Sequence, residues 1–482
     1  MRKILVLSVL AALLHSHLNA QQLVSSSLNG TRTQAQLIAQ FQVPFLQYGA
    51  KYYKITYTSK DAKGQPDTLS GLIVVPDNAT KVYPRLVYQH GTSSCKTCVP
   101  SRLGTPGGDE GDVGLIFAAM GYVSLLPDYV GMGDGRGFQT YVHAATAASA
   151  ALDMLRASEQ WLAQNGYLAN EQLFITGYSQ GGHAAMALHR EIELNPASDF
   201  EVTAAAHLSG PYSISGVMRD LILSQDAYFY PAYIPNTLLG YQEVYGNLYT
   251  NLSQLIRPEY LGKIQEYHQG SITLTDLNAF LIQTLTTQTG SSVARRMFTN
   301  AAISAIIQNP EHPINIALRE NDVYNWKPER PTRIFYCTAD DQVPYLNSLV
   351  ARDTMLALGA ANFQVSDVGP NLDHGGCVTP ALTQTLLFFA GFQSITSGTG
   401  SPDALENIQF APNPASNFVR VSEIPAGAGL RVLDWRGREV YRQMDLPQGQ
   451  LEIPVNELPK GVYFLHFSLP GAKQCTRTLV RG

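Results

Sequence analysis

The sequence predicts an α/β fold: a mostly parallel, doubly wound sheet, interrupted by a long helical insertion and followed by a small all-β module. Three observations predict it. Short apolar runs alternate with helical stretches from about residue 52 to 208, and again from 332 to 389. Between them, Pro211 to about Glu329 holds no clear strand. Beyond Ser397 the pattern changes to short strands separated by turn residues.

Taken in order, Lys54-Ile-Thr-Tyr-Thr58, Leu72-Ile-Val-Val75 and Arg85-Leu-Val-Tyr-Gln89 read as strands, the last ending at His90-Gly91. Tyr122 to Leu126 is another, ending at Pro127-Asp128. Ala144 to Leu162 is rich in Ala and Leu at helical spacing. Gln172 to Thr176 is a strand, Gly181 to Leu194 a helix, and Val202 to Leu208 a buried strand. The pattern resumes with strands at Thr332 to Cys337 and Asn362 to Ser366, and a helix from Pro380 to Phe389. Strands alternating with helices require crossovers, and crossovers cover both faces of a parallel sheet. In the C-terminal part, Phe418 to Ser422, Leu430 to Asp434, Glu439 to Gln443, Val462 to Phe467 and Thr476 to Val480 alternate as short strands, with a hairpin turn at Trp435 to Arg438.

The chain has 482 residues, of which 45% are hydrophobic and 15% charged. That length suggests one large domain plus something smaller, with a globular rather than disordered composition. The net charge of −5 is spread without long single-sign runs, so no basic arm or stripe suggests a nucleic-acid partner. Arg2 and Lys3 precede an apolar run from Ile4 to Leu14, broken only by Ser8, and Leu18-Asn19-Ala20 offers a cleavage point. Residues 1–20 therefore read as a signal peptide, because the apolar run is too short to span a bilayer. The expected organisation is a catalytic domain at 21–396 with a helical cap at about 211–330, a Gly/Ser/Pro linker at 397–406, and a sandwich-like β module at 407–482.

The chemistry centres on Gly177-Tyr178-Ser179-Gln180-Gly181, set between a strand and a helix. A serine on such a sharp turn points its oxygen out over the sheet, with Gly177 and Gly181 permitting the turn and close helix–strand contact. The pattern alone is weak, but bracketed by strand and helix it marks the nucleophile elbow of an α/β-hydrolase. A serine hydroxyl needs a base to become a nucleophile. In this fold the order along the chain is nucleophile, acid, histidine. Beyond the insertion only His374 and His466 remain, and His466 falls in the β module, so His374 is the expected base. The orienting acid should follow the strand ending at Cys337, where Asp340 is favoured by its D-x-x-V-P spacing and Asp341 is the alternative. Asp373 adjoins His374 and is expected not to face it. For the oxyanion, the backbone N–H groups of Gln180 and Thr92 are the candidate donors, with the Thr92 hydroxyl as an extra one.

Other groups read as structural. His90 should hold its loop, and His183 should pack on the elbow helix. Asp109, Glu110 and Asp112 should form a solvated acidic loop, since their spacing fits no cation site. Tyr228, Phe229, Tyr230, Tyr233, Tyr241, Tyr245 and Tyr249 are candidates for an apolar pocket beneath the cap, or for the cap's own packing. An exported chain meets oxidising conditions, so Cys95–Cys98 and Cys337–Cys377 are the expected disulfides, with Cys475 left over. No metal or organic cofactor is required for this chemistry.

Residues 35 to 395 resemble the secretory lipase (lipase-A-like) family through Tyr88-Gln-His-Gly-Thr92, Pro127-Asp-Tyr-Val-Gly-Met-Gly133, Gly177-Tyr-Ser-Gln-Gly-Gly182, Asp340-Asp-Gln-Val-Pro344 and the His374 loop. The resemblance implies carboxylic ester hydrolysis through an acyl-enzyme on Ser179. The C-terminal module resembles a type IX secretion sorting domain through Ala411-Pro-Asn-Pro-Ala415, Leu433-Asp-Trp-Arg-Gly437 and Leu458-Pro-Lys-Gly-Val-Tyr-Phe464. It implies export to the outside or outer surface of a Gram-negative cell, with the type IX machinery as partner and an ester or lipid as substrate. The competing expectations are an esterase for plant-polymer feruloyl or acetyl groups, a serine peptidase, and a non-catalytic surface-binding protein.

Overall fold

The computed structural model describes residues 22–105, 109–195, 198–397, 405, 408–434, 436, 438–469 and 475–482. The expected signal peptide and nearly all of the expected linker lie outside the described residues, as do Trp435 and Gly437 of the hairpin turn.

The chain opens with β1 (Leu23–Arg32), α1 (Gln34–Phe41), β2 (Ala50–Lys60), β3 (Pro66–Pro76) and β4 (Lys81–Gln89). There follow α2 (Asp112–Ala119), β5 (Val123–Pro127), α3 (Ala144–Asn165), β6 (Leu168–Tyr178), α4 (Gln180–Leu194) and β7 (Ala204–Leu208). After the insertion come β8 (Thr332–Tyr336), α10 (Leu346–Ala357), β9 (Phe363–Asp367), α11 (Val378–Ala390) and the two-residue β10 (Thr396–Ser397). The strands lie in the order β1-β2-β3-β5-β4-β6-β7-β8-β9, with β10 on β4. Pairing is antiparallel from β1 through β5 and parallel from β5 to β9.

Period-2 alternation explains the two-sided burial of the central strands. Val87 and Ile175 face one core with Ala150, Leu155 and Trp161 of α3 and Leu188 of α4. Their neighbours Leu86 and Phe174 face the other, with Phe117 of α2 and Phe389 of α11. The alanines of α3 let its backbone approach the sheet, so this long helix buries one face almost completely.

Several elements escaped the sequence pattern, α2 and β10 among them. β1 is mostly exposed and carries no apolar alternation. α1 is only 8 residues long and begins at a Thr33–Gln36 capping box. α10 packs chiefly through Asn347, Ser348, Ala351 and Met355, an apolar stripe too thin to read. Several expected boundaries shift, among them the start of β6, which lies at Leu168 rather than Gln172. The strand expected from Val202 begins at Ala204, and Ser397, assigned to the linker by composition, pairs with Lys81 of β4. Asp112 also departs from expectation, because it opens the first turn of α2 rather than lying in a loop.

The insertion is helical. A π-turn at Ile214–Met218 runs into a short helix at Arg219–Leu223, followed by α5 (Tyr233–Tyr245), α6 (Pro258–His268), α7 (Leu274–Thr289), α8 (Asn300–Gln308) and α9 (Pro313–Glu320). Pro258 and Pro313 start their helices at the first turn, where the missing N–H costs nothing, and a Thr273–Asp276 capping box starts α7. The cap has a core of its own, including the fully buried Tyr260, Ile264, Leu277, Leu281 and Met297.

The module forms a three-stranded sheet, β11 (Gln409–Ala411), β12 (Phe418–Ile424) and β15 (Gly449–Pro454). A four-stranded sheet holds β14 (Glu439–Gln443), β13 (Gly429–Asp434), β16 (Gly461–Ser468) and β17 (Cys475–Arg481) in that order. Val419, Val421, Leu430, Val432, Leu465 and Leu479 fill the space between them. β11 and β15 were not read from the sequence. Cys475 is buried and free.

Candidate active site

Ser179 caps α4 at the end of β6 with φ 61° and ψ −122°, a left-handed conformation costly for a residue with a side chain. Two glycines permit it. A Cβ on Gly181 would stand 1.9 Å from the carbonyl oxygen of Gln89. One on Gly177 would stand 2.3 Å from the Gly181 carbonyl oxygen and 2.6 Å from that of Gln89. The Ser179 N–H donates to the Leu208 carbonyl on β7, anchoring the turn to the neighbouring strand.

Three expected residues come together here. Ser179 Oγ lies 2.8 Å from His374 Nε2, and His374 Nδ1 lies 2.7 Å from Asp340 Oδ2. Ser179 and His374 are each 6% exposed, and the Asp340 side chain 1%. The second carboxylate oxygen of Asp340 accepts the backbone N–H groups of Gln342 (3.0 Å) and Val343 (2.8 Å). Those bonds leave one oxygen free for the imidazole. Asp341, the alternative acid, accepts the backbone N–H of His374 at 3.2 Å and so braces the histidine's backbone rather than its ring. Asp373 accepts the Gly376 N–H at 2.7 Å within its own turn. Tyr178, an unspecified position of the elbow motif, donates its hydroxyl to the His374 carbonyl at 2.6 Å.

Both expected disulfides are present. Cys337–Cys377 joins the loop carrying Asp340 to the turn carrying His374, and Cys95–Cys98 closes the loop after Thr92. The Gln180 N–H sits in the first turn of α4, where no intrahelical acceptor exists. The His90–Thr92 loop runs against that turn, since a Cβ on Gly181 would also meet the His90 carbonyl at 2.8 Å. The Thr92 hydroxyl lies 2.9 Å from the Tyr141 hydroxyl, and either of the two can be the donor.

The histidines read as structural are held as such. His90 bonds the Gly91 carbonyl, stacks on Tyr129, and burial pushes its pKa down to about 4. His183 bonds the Asn321 carbonyl and is likewise lowered to about 4 by burial. Neither will carry charge near neutral pH. Among the described residues, no group of three or more His, Cys, Asp or Glu is arranged to hold a metal ion.

Ser179 opens onto a cleft of about 860 Å³, part of it open to solvent. Its walls are mostly aliphatic: Ile214, Met218, Ile222 and Leu223 from the start of the insertion, Leu238 from α5, Ile306 from α8, and Ile314 and Leu318 from α9. Of the seven aromatic candidates, Tyr228 and Tyr233 line it. Tyr230 stacks on Tyr233, Tyr241 bonds the Val142 carbonyl, Tyr245 accepts from Asn321, Tyr249 packs against the cap core, and Phe229 is exposed. Tyr141 and the aliphatic wall had no sequence signal, because their facing depends on how five helices pack.

Fold and elbow together define an α/β-hydrolase. The secretory lipase family matches residues 113–378, more than half of the chain, and the chain belongs to that family. It is therefore a hydrolase acting on esters. Lipase A of Arthroderma benhamiae is 25% identical over 366 residues, covering 70% of this chain and 75% of that protein. The rice cell wall degrading esterase LipA from Xanthomonas oryzae shares the fold with a TM-score of 0.66 at 24% identity, over 77% of this chain and 97% of that one. Candida antarctica lipase A in its closed state gives a TM-score of 0.57 at 16% identity, over 78% and 84% of the two chains. The secretion system C-terminal sorting domain matches residues 409–481 and marks the protein for type IX export, so it is secreted.

Proposed function

We propose that the protein cleaves aliphatic carboxylic esters through an acyl-enzyme on Ser179. The observation that carries this is the Ser179–His374–Asp340 chain of 2.8 and 2.7 Å contacts opening on an apolar cleft. His374 takes the Ser179 proton as Oγ attacks the ester carbonyl. The resulting oxyanion accepts hydrogen bonds from the backbone N–H groups of Gln180 and Thr92. Collapse expels the alcohol, which takes the proton from His374 and leaves the acyl group on Ser179. Water then attacks the acyl-enzyme, His374 accepts its proton, and the acid departs as Ser179 is restored. Asp340 holds the imidazole with Nε2 facing Ser179 and stabilises the imidazolium formed in each half. The aliphatic cleft beside Ser179 favours an acyl chain over a peptide or an aromatic polymer ester.

The test is hydrolysis of nitrophenyl esters from acetyl to palmitoyl by the wild type and by Ser179→Ala. Loss of turnover in the variant, with a wild-type preference for acyl chains beyond acetyl, supports the reading. A folded wild type that cleaves feruloyl esters or peptides instead overturns it. For export, the reading is that residues 1–20 and the module from about 407 are both removed, leaving the catalytic domain at 21–396 and its linker as the working enzyme. Intact mass of the secreted protein tests this, and a mature form that retains Gly482 overturns it.

A further inference from the structure

The loop that carries Asp340 is held from above by the wall of the cleft, and Gln342 makes the connection. Its N–H donates to Asp340 Oδ1, its carbonyl accepts the Tyr228 hydroxyl at 3.0 Å, and its side-chain Oε1 accepts the Tyr233 hydroxyl at 2.7 Å. Tyr228 and Tyr233 both line the cleft that opens at Ser179. Two hydroxyls thus leave the pocket wall and converge on the residue two positions after the acid. A third wall tyrosine, Tyr141, meets the Thr92 hydroxyl, and its ring lies 5.8 Å from the Tyr233 ring. Burial raises the pKa of all three tyrosines well above its ordinary value, so each remains a neutral hydroxyl. Tyr230 stacks on Tyr233 at 4.3 Å and limits its freedom to turn away.

We propose that Gln342 is a positioning residue that couples filling of the acyl cleft to the alignment of Asp340 with His374. The proposal rests on the esterase reading above. An acyl chain packed along Tyr228 and Tyr233 removes the free volume into which those rings can move. Their hydroxyls then hold Gln342, and Gln342 holds the carboxylate against Nδ1. A short acyl group leaves the wall unloaded and the acid loop free to fluctuate. Long chains therefore gain turnover as well as binding, which is the use of remote binding energy at the reacting centre. The charged groups facing His374 are Asp340 at its ring, Asp341 at its backbone and the adjacent Asp373. Only Asp340 is held through Gln342.

The experiment uses the full-length protein with Tyr233→Phe, which removes one hydroxyl, and Gln342→Met, which keeps the side-chain length and removes the acceptor. Nitrophenyl acetate and laurate are compared, with thermal unfolding to verify the fold. For laurate, each variant is expected to lose about tenfold in kcat with KM within about twofold, the loss of one buried hydrogen bond. For acetate the loss in kcat should be smaller, so that the laurate-to-acetate ratio of kcat falls about fivefold. The double variant should be no worse than the poorer single one, because both remove the same interaction. Equal losses on both esters, additive losses, or no loss at all in folded variants overturn the coupling while leaving the esterase reading intact. A wild type that cleaves neither ester and is not labelled at Ser179 by a fluorophosphonate overturns the esterase reading and the coupling with it.

Discussion

The elbow and the cap meet at one cleft but are built by opposite means. Around Ser179 the backbone itself is the constraint, with carbonyl oxygens standing where any Cβ on Gly177 or Gly181 would go. The cap contributes almost no backbone to the site. It supplies side chains from five segments far apart in sequence, and its geometry follows from its own core of Leu, Ile and Tyr. A short local motif with tight contacts suits atoms that must be placed to a fraction of an ångström. A packed apolar wall tolerates substitution and can adjust what fits.

Four substitutions probe that contrast, from the largest expected effect downward. Asp340→Asn keeps the shape but loses the charge and the correct imidazole tautomer, and should lower kcat on the order of 10⁴-fold with the unfolding midpoint nearly unchanged. Comparable turnover in that variant would move the orienting role to Asp341. Gly181→Ala should cost about 3 kcal/mol or more in denaturant unfolding, together with most of the activity, because the new methyl meets rigid backbone rather than a yielding side chain. Replacing Cys337 and Cys377 together by Ser opens a loop of sequence separation 40 and should cost about 4 kcal/mol on the chain-entropy account. Activity should then fall at temperatures where the wild type is still folded, because the bridge ties the acid loop to the histidine turn. Ile222→Trp should shorten the cleft, cutting kcat/KM on long-chain esters about tenfold while leaving acetyl esters within about twofold. A uniform loss across chain lengths would mean that the Ile222 wall does not face the acyl group.

Much of the sheet was legible because buried parallel strands are near-continuous apolar runs. Phe174-Ile175, with a core on each side, is the pattern at its plainest. β1 was not legible, since an exposed edge strand needs no apolar face, and α10 buries small and polar residues against its neighbours. Ser179, His374 and Asp340 could be named from motif and chain order alone, which bring candidates forward without any knowledge of distance. The roles of Asp341, Tyr178 and Gln342 could not. Each acts through hydrogen bonds to groups distant in sequence or on a neighbouring loop, and a carboxylate, hydroxyl or amide looks the same in sequence whichever partner it meets. The cap tyrosines show the same limit. Seven aromatics were candidates, and only the packing of the cap selected Tyr228 and Tyr233 as wall residues while turning Tyr241 and Tyr245 toward structural hydrogen bonds.

By itself, then, the sequence determined the class of fold, the candidates Ser179, Asp340 and His374 in their chain order, and the address carried by the C-terminal module. Each of these is encoded in short motifs whose physics is local: a turn that only glycine permits, a strand's alternation, a helix cap. The tertiary structure decided which carboxylate meets the imidazole, and the shape and walls of the cleft at Ser179. Those outcomes depend on contacts between residues 30 to 200 positions apart, such as Tyr178 with His374 or Tyr228 with Gln342. Their free energy comes from burial and packing of the whole chain, which no local window contains.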